Sequence, residues 1–86
     1  DVVVVDFYAD WCGPCKMMEP VMNSLAAETD AAVAKVDIDR LQGMARQHGV
    51  QGVPTFQVYA NGQQIEQFVG AQDRSAFERL ITQYSS

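Results

Sequence analysis

Residues 2–15 read VVVVDFYADWCGPC and decide the fold. Residues 2–8 are β-branched or aromatic apart from Asp6 and lack polar alternation, which is typical of a strand buried on both faces of a sheet. From Pro14 to about Thr29, apolar residues recur at helical spacing. They are Met17, Met18, Val21, Met22, Leu25 and Ala26. The stretch therefore predicts a strand followed directly by a helix, which Pro20 is expected to kink.

The middle of the chain repeats this alternation and then changes to a hairpin. Residues 32–38 (AVAKVDI) predict a second strand. A second helix is predicted after it, ended by Gly49. Its periodic positions are Leu41, Met44, Ala45 and His48. The segments from Thr55 to Tyr59 and from Gln63 to Val69 flank Asn61-Gly62, a pair that suits a two-residue type I′ turn.

A last helix completes the pattern. Asp73 is expected to cap it. Its predicted core face is Phe77, Leu80, Ile81 and Tyr84. The element order is βαβα followed by ββα, so the first half needs a parallel crossover and the second an antiparallel hairpin. We therefore predict one α/β domain over residues 1–86, a mixed four-stranded sheet flanked by helices.

Composition excludes several classes of protein. Eleven acidic residues against six basic ones give a formal net charge of −5, which argues against nucleic acid or an anionic membrane surface as a partner. No apolar run approaches the ~18–20 residues of a membrane helix. Hydrophobic residues make up 48% and charged residues 20%, a balance that argues against disorder. The 2 cysteines are too few for a disulfide scaffold.

The segment Trp11-Cys12-Gly13-Pro14-Cys15 carries the chemistry. Cysteines three apart on one helical turn lie within the Cα separation that a disulfide prefers. Cys12 is expected at the helix N-terminus, where unpaired N–H groups and the helix dipole favour a thiolate. We expect Cys12 to be the more exposed nucleophile and Cys15 the shielded thiol that resolves a mixed disulfide.

Competing interpretations of the cysteine pair are weaker. Structural zinc usually needs four ligands, whereas this chain adds only His48, whose expected role is to place a cation at a helix end. Covalent c-type haem attachment needs a histidine where Lys16 stands. A zinc or iron–sulfur site shared across a dimer and an inert structural disulfide remain as alternatives. Redox exchange without a metal or bound cofactor is the favoured interpretation.

On these residues the sequence resembles the thioredoxins, over essentially its whole length. The matching segments are VDFYADWCGPCK, AKVDID, GVQGVPTF, YANGQ and VGA. WCGPC is specific within the thioredoxin superfamily, because the two residues between the cysteines differ among its reductant, oxidant and isomerase branches. The resemblance implies a thioredoxin-like fold and a cytoplasmic protein-disulfide reductase that an external reductase supplies with electrons.

The resemblance also assigns roles to two charged residues. Asp6 interrupts a strand expected to be covered on both faces, so burial should raise its pKa. It matches the buried aspartate that is thought to relay protons to and from the second cysteine, here Cys15; the alternative is an Asp6 satisfied by backbone donors or by Lys35. Lys35 matches a lysine near that aspartate and is expected to oppose the shift, or simply to reach solvent.

The remaining candidate residues form a surface for substrates. By resemblance the Val53-Pro54 bond is cis and its loop faces the cysteines, so that the backbone of Val53 can pair with an extended substrate peptide. A flat apolar patch is expected around the disulfide. Its members, with Pro54, are Trp11, Gly13, Pro14, Gly52, Val53, Gly70 and Ala71.

Two functional alternatives keep the fold and change the task. The chain could be a redox-silent binding subunit, which would have no need of intact cysteines. It could also be an oxidant or isomerase, against which the Gly-Pro pair argues. The expected partners are disulfide-containing proteins.

The resemblance leaves one difference. Thioredoxins typically begin with a further strand and helix before the strand that starts here at Val2, so the chain is expected to be an N-terminally truncated version of the fold. The strand at 32–38 is then an edge. We expect a monomer that self-associates through this edge at high concentration.

Overall fold

The computed structural model describes residues 1–85, and its element order matches the prediction. The strands are β1 (Val2–Tyr8), β2 (Ala32–Asp37), β3 (Thr55–Ala60) and β4 (Gln63–Val69). The helices are α1 (Gly13–Glu28), α2 (Gln42–Gln47) and α3 (Arg74–Tyr84). The four strands form one sheet in the order β2-β1-β3-β4.

The sheet is mixed, as the two halves of the sequence require. β1 pairs parallel with β2 and antiparallel with β3, and β3 pairs antiparallel with β4. The hairpin turn has positive φ at both central residues, 54° at Asn61 and 82° at Gly62. A type I′ turn needs this pair of angles, which explains why Asn-Gly stands there.

The main core lies between the sheet and the helices α1 and α3. Alternate residues of the central strands enter it, including Val2 and Val4 from β1 and Phe56 and Val58 from β3. Phe77 of α3 packs edge-on against Phe56, with ring centroids 5.1 Å apart. Because successive side chains of a strand point to opposite faces of the sheet, the side chain of Asp6 is on the same face of β1 as those of Val2 and Val4.

Arg74 of α3 binds to side chains at the C-terminal end of α1. Its guanidinium donates to the hydroxyl of Ser24 and, at 3.1 Å, to the carboxylate of Glu28 on α1. It also donates to Glu78 one turn further along α3, at 2.9 Å. The contact between the two helices thus has a polar margin as well as an apolar centre.

Several predicted core positions are wrong. Met17 is 73% exposed and Tyr84 37% exposed. Of the periodic positions of the predicted second helix, Leu41 and Met44 are also exposed, and Leu41 lies at the N-cap of α2 and outside the helix. Met17 and Tyr84 lie at the edges of the apolar stripes of α1 and α3, and each stripe is wider than the surface that the helix buries. Helical periodicity predicts the stripe but does not show where burial ends. Asp73 does occupy the N-cap position of α3, but within residues 1–85 its side chain accepts no capping hydrogen bond.

Candidate active site at the first strand–helix junction

The cysteines lie where β1 passes into α1, and they form a disulfide. Their Cα atoms are 5.2 Å apart. Cys12 is the N-cap residue of α1, and its Sγ accepts a hydrogen bond of 3.1 Å from the backbone N–H of Cys15. Gly13 and Pro14 are the first two helical residues, and both are exposed. A proline is well suited there because its missing donor has no partner in the first turn of a helix.

This position favours negative charge on Cys12. The first N–H groups of a helix lack partners within the helix and carry the positive end of its dipole. A sulfur that already accepts one of these N–H groups is placed to accept it more strongly as a thiolate.

The expected difference in exposure between the cysteines is not seen. Both are only 4% exposed in the disulfide. They form a small cluster with Ala9, against which Tyr8, Ile38 and Val53 pack. Only two residues separate the cysteines, so the disulfide places both sulfurs in the same apolar site. Exposure therefore does not distinguish the two cysteines here; their positions do, because Cys12 is the N-cap residue of α1 and Cys15 lies within the helix.

Asp6 lies buried beside this junction, as predicted. It is 2% exposed, and within the described chain its Oδ1 has no hydrogen-bond partner. The alternative of an aspartate satisfied by backbone donors or Lys35 is therefore wrong for that oxygen. Burial raises the pKa of Asp6 to about 6, while the charge of Lys35 lowers it and that of Glu19 raises it.

Lys35 is the cation whose charge acts on the buried carboxyl of Asp6. It is the register partner of Asp6 in the parallel β1–β2 pair, so both residues belong to the same face of the sheet. Its Nζ lies 4.0 Å from the carboxylate of Glu19 and 4.8 Å above the ring centroid of Tyr8. Its side chain is 35% exposed. Lys35 therefore both reaches solvent and acts on Asp6, as the two interpretations of the sequence separately proposed.

A cavity of about 30 Å³ lies among these groups. Its lining consists of Tyr8, Ala9, Asp10, Cys15, Lys16, Glu19 and Lys35. This volume is enough for one water molecule, and the polar lining offers it partners. Cys15 thus borders a space that is also lined by the ion pair of Lys35 and Glu19.

Of the residues predicted to bind substrate, Val53 packs against the cysteine cluster, and Pro54, expected in an accessible patch, is buried. The Val53–Pro54 peptide bond is cis, as the resemblance implied. The N–H of Gly70 donates to the carbonyl of Pro54 at 2.8 Å, which joins the end of β4 to this loop. The hydroxyl of Thr55 donates to the carbonyl of Gly52 at 2.6 Å.

The exposed parts of this surface come from three segments. Trp11 is 69% exposed and Ala71 is also exposed, whereas Val53 is half-buried against the cysteine cluster. Val69, which the sequence analysis did not select, is 65% exposed directly before Gly70. These apolar groups are accessible without forming a deep pocket, which suits a broad range of partners.

Two residues with consequences for the site were missed. The carboxylate of Asp39 accepts a 2.9 Å hydrogen bond from the indole Nε1 of Trp11, 28 positions away. No local pattern could have indicated it. Glu19 could have been found, because it stands four residues after Cys15 and therefore on the same side of α1.

The only histidine has a structural environment on the other face of the sheet. Nδ1 of His48 lies 2.9 Å from the side-chain oxygen of Gln57, and the amide nitrogen of Gln57 donates to the carbonyl of His48 at 2.9 Å. Gln57 is 1% exposed and also donates to Gln67 at 2.8 Å. His48 therefore serves the packing of α2 on β3. It forms this network in addition to its predicted place at the end of a helix.

Within residues 1–85 no group of three or more His, Cys, Asp or Glu side chains is arranged to hold a metal ion. None of the helices described here is both long and apolar enough to cross a membrane.

The chain was compared with known proteins. The family model described as Thioredoxin matches residues 1–83. A thioredoxin of Chlamydia caviae is 42% identical over 98% of this chain and 83% of its own length, and one of Mycobacterium tuberculosis is 44% identical over 93% and 71%. The solved structure of a thioredoxin variant from Halobacterium salinarum is 56% identical, with a TM-score of 0.94 over all of this chain and 76% of that one. With its cysteine pair closed as a disulfide, the chain belongs to the thioredoxin family of thiol–disulfide reductases.

Proposed function

We propose that the chain reduces disulfides of other proteins, with Cys12 as the nucleophile, Cys15 as the resolving thiol and Asp6 as the proton relay. The observation that carries this assignment is the N-cap position of Cys12, whose Sγ accepts the N–H of Cys15. Only one of the two cysteines has this stabilisation for a thiolate. It is therefore the sulfur that attacks first.

The reaction then proceeds in two exchanges. The Cys12 thiolate attacks one sulfur of the substrate disulfide, and that disulfide breaks to give a mixed disulfide and one substrate thiolate. Cys15 gives its proton to the Asp6 carboxylate and attacks Cys12. The mixed disulfide breaks, the second substrate thiolate leaves, and the Cys12–Cys15 disulfide forms. Two electrons have passed to the substrate.

The pKa of Asp6 suits a base in the second exchange. A pKa of about 6 leaves the carboxyl mostly ionised at neutral pH, yet close enough to neutrality to take up and return a proton. Cys15 borders a cavity that is also lined by Lys35 and Glu19, the two residues whose charges act on Asp6. Lys35 adjusts the pKa of Asp6 and does not itself take part in the exchange.

Substrate binding is assigned to the surface around the disulfide. An extended segment next to the substrate cysteine would pair with the backbone of Val53, while Trp11, Gly70 and Ala71 contact its side chains. Gly13, Pro14 and Gly52 are exposed and would contact the substrate beside the cysteines, whereas the buried Pro54 would fix the backbone of Val53 through its cis peptide bond. Such a surface selects a chain that can adopt an extended conformation more than it selects any one side chain.

The Gly-Pro pair and the family comparison favour a reductant over an oxidant, an isomerase or a redox-silent subunit. A reductant needs renewed electrons, so an external reductase is the proposed donor. The proposed compartment is a reducing one, the cytoplasm, where such a dithiol is kept reduced. No bound cofactor takes part, and the protein works as a monomer.

Trapping experiments test the order of the two cysteines. Reduced Cys15→Ser and Cys12→Ser proteins are each mixed with insulin, and non-reducing mass spectrometry locates the adduct. We expect the Cys15→Ser protein to accumulate a mixed disulfide on Cys12, and the Cys12→Ser protein to accumulate none. An adduct that forms mainly on Cys15 in the Cys12→Ser protein would reverse the assignment.

A further inference from the structure

Four groups meet at the junction of α1 with the first two strands. Cys15 and Glu19 are one helical turn apart on the same side of α1. Asp6 and Lys35 are register partners on neighbouring strands. The Glu19 carboxylate lies 4.0 Å from Nζ of Lys35, and both residues line the cavity that Cys15 borders. Glu19 is therefore the group on the resolving cysteine's own helix that faces the lysine paired with Asp6.

We infer that Glu19 is a positioning residue for the thiol–disulfide reaction: its pairing with Lys35 holds the ammonium toward the solvent side of the cavity, so that Asp6 retains the capacity to exchange a proton with Cys15. The inference rests on the proposed relay role of Asp6 and adds the residue that regulates it. Glu19 acts through Lys35 and has no contact with the sulfurs in this role.

The charged and titratable groups near Asp6 are those of the cavity that Cys15 borders. β2 contributes Lys35, α1 contributes Lys16 and Glu19, and the end of β1 contributes Tyr8 and Asp10, while Asp6 itself does not line the cavity. From β3 the register partner of Asp6 is the apolar Phe56. Two of these groups act on Asp6 with opposite signs: the Lys35 charge lowers its pKa and the Glu19 charge raises it.

The positions of the two side chains explain why they are coupled. A lysine that is free to turn toward a buried carboxylate would form an ion pair with it and keep it ionised. Glu19, with 52% of its side chain exposed, offers the ammonium a partner that retains its hydration. Lys35 is also held over the ring of Tyr8. Removal of the Glu19 charge takes away this partner, while the charge of Lys35 still acts on the buried carboxyl of Asp6.

A double-mutant cycle tests the inference. The pKa of Asp6 is measured from its carboxyl ¹³C shift in the full chain and in Glu19→Gln, Lys35→Met and the double variant. We expect Glu19→Gln to lower the pKa of Asp6 by about 0.3–0.7 units, the scale of a partly exposed ion pair. Lys35→Met should raise it. The effect of Glu19→Gln should shrink by at least about half in the Lys35→Met background, because the route through Lys35 is then absent.

The rate of mixed-disulfide resolution against pH provides the functional readout. If Asp6 acts as the base, the acid limb of this profile should move to lower pH in Glu19→Gln and to higher pH in Lys35→Met. Glu28→Gln is the matched control, because it also removes a glutamate of α1 that pairs with a cation, Arg74, at the other end of the helix. Neither the pKa of Asp6 nor the profile should move in that control.

The outcomes separate this inference from the proposed function. The positioning role would be overturned if Glu19→Gln shifted the pKa of Asp6 equally in the unmodified chain and in the Lys35→Met background. It would also be overturned if Glu19→Gln did not shift this pKa at all. If the pKa moves as expected while Asp6→Asn resolves mixed disulfides at the rate of the unmodified chain, the relay role fails. The coupling of Glu19, Lys35 and Asp6 stands in that case.

Discussion

Replacement of Asp6 by asparagine should stabilise the protein at neutral pH. The native carboxyl titrates near pH 6 because it is buried, whereas an unfolded aspartate titrates near the model value of 3.8. The folded state thus disfavours the ionised form. Stability is fully present below the unfolded pKa and is lost as pH rises toward the folded pKa. Asparagine is neutral throughout and does not undergo this loss.

The magnitude follows from the two pKa values. They differ by about 2 units, and each unit corresponds to about 1.36 kcal/mol, so ionisation costs the native chain roughly 3 kcal/mol at pH 7 and above. The asparagine amide adds buried N–H donors, which cost about 1–3 kcal/mol if unpaired. That cost does not depend on pH. The decisive quantity is therefore the change with pH of the difference between the two proteins.

Urea denaturation of both oxidised proteins from pH 3 to pH 8 measures this quantity. The difference in the free energy of unfolding should grow in favour of Asp6→Asn by about 1.4 kcal/mol per pH unit between the two pKa values, and level off near pH 7. Other acids titrate alike in both proteins and cancel. A difference that is constant over this range, or that grows toward low pH, would refute the account of Asp6 as an unpaired, desolvated carboxyl.

Two further predictions concern the surface. Asp39→Ala removes the acceptor of the Trp11 indole N–H, so the Trp11 side chain should lose its fixed orientation. The KM for a protein disulfide should then rise about two- to tenfold with kcat little changed. The fluorescence anisotropy of the tryptophan should fall. An unchanged KM would show that the bond does not support the substrate surface. β2 has a single strand neighbour in the described sheet, so its other side is a free edge. Sedimentation from micromolar to millimolar concentration should therefore detect dimers, and Ala32→Lys on this edge should suppress them. Equal sedimentation of the two proteins would exclude association through the β2 edge.

The sequence was most informative where local pattern and burial coincide. The run of residues 2–8 predicted a buried central strand, and β1 is central. The cysteine spacing predicted the disulfide, and the Asn61-Gly62 pair predicted the hairpin. In each case a few neighbouring residues determine the geometry, so that periodicity and turn chemistry are enough to predict it.

Features that depend on the approach of distant segments were out of reach. The Trp11–Asp39 bond joins two loops that become neighbours only when β1 and β2 pair. The exposure of Met17 depends on how far α3 and the loop before it extend across α1, which the helical pattern of α1 alone does not contain. The equal burial of the two cysteines likewise follows from packing by Val53 and Ile38, which come from other parts of the chain.

The bonds of Gln57 have a consequence for how β3 finds its place in the sheet. Its neighbours Phe56 and Val58 are both fully buried in the apolar core, while Gln57 faces His48 and Gln67 on the other side. A shift of β3 by one residue would turn the side-chain amide of Gln57 into the apolar core. Its hydrogen-bonding groups would then have no partners, at a cost of about 2–7 kcal/mol. One of the two central strands of this small sheet is thus held in register by one polar side chain, which makes alternative pairings of the hairpin much less stable than the native one.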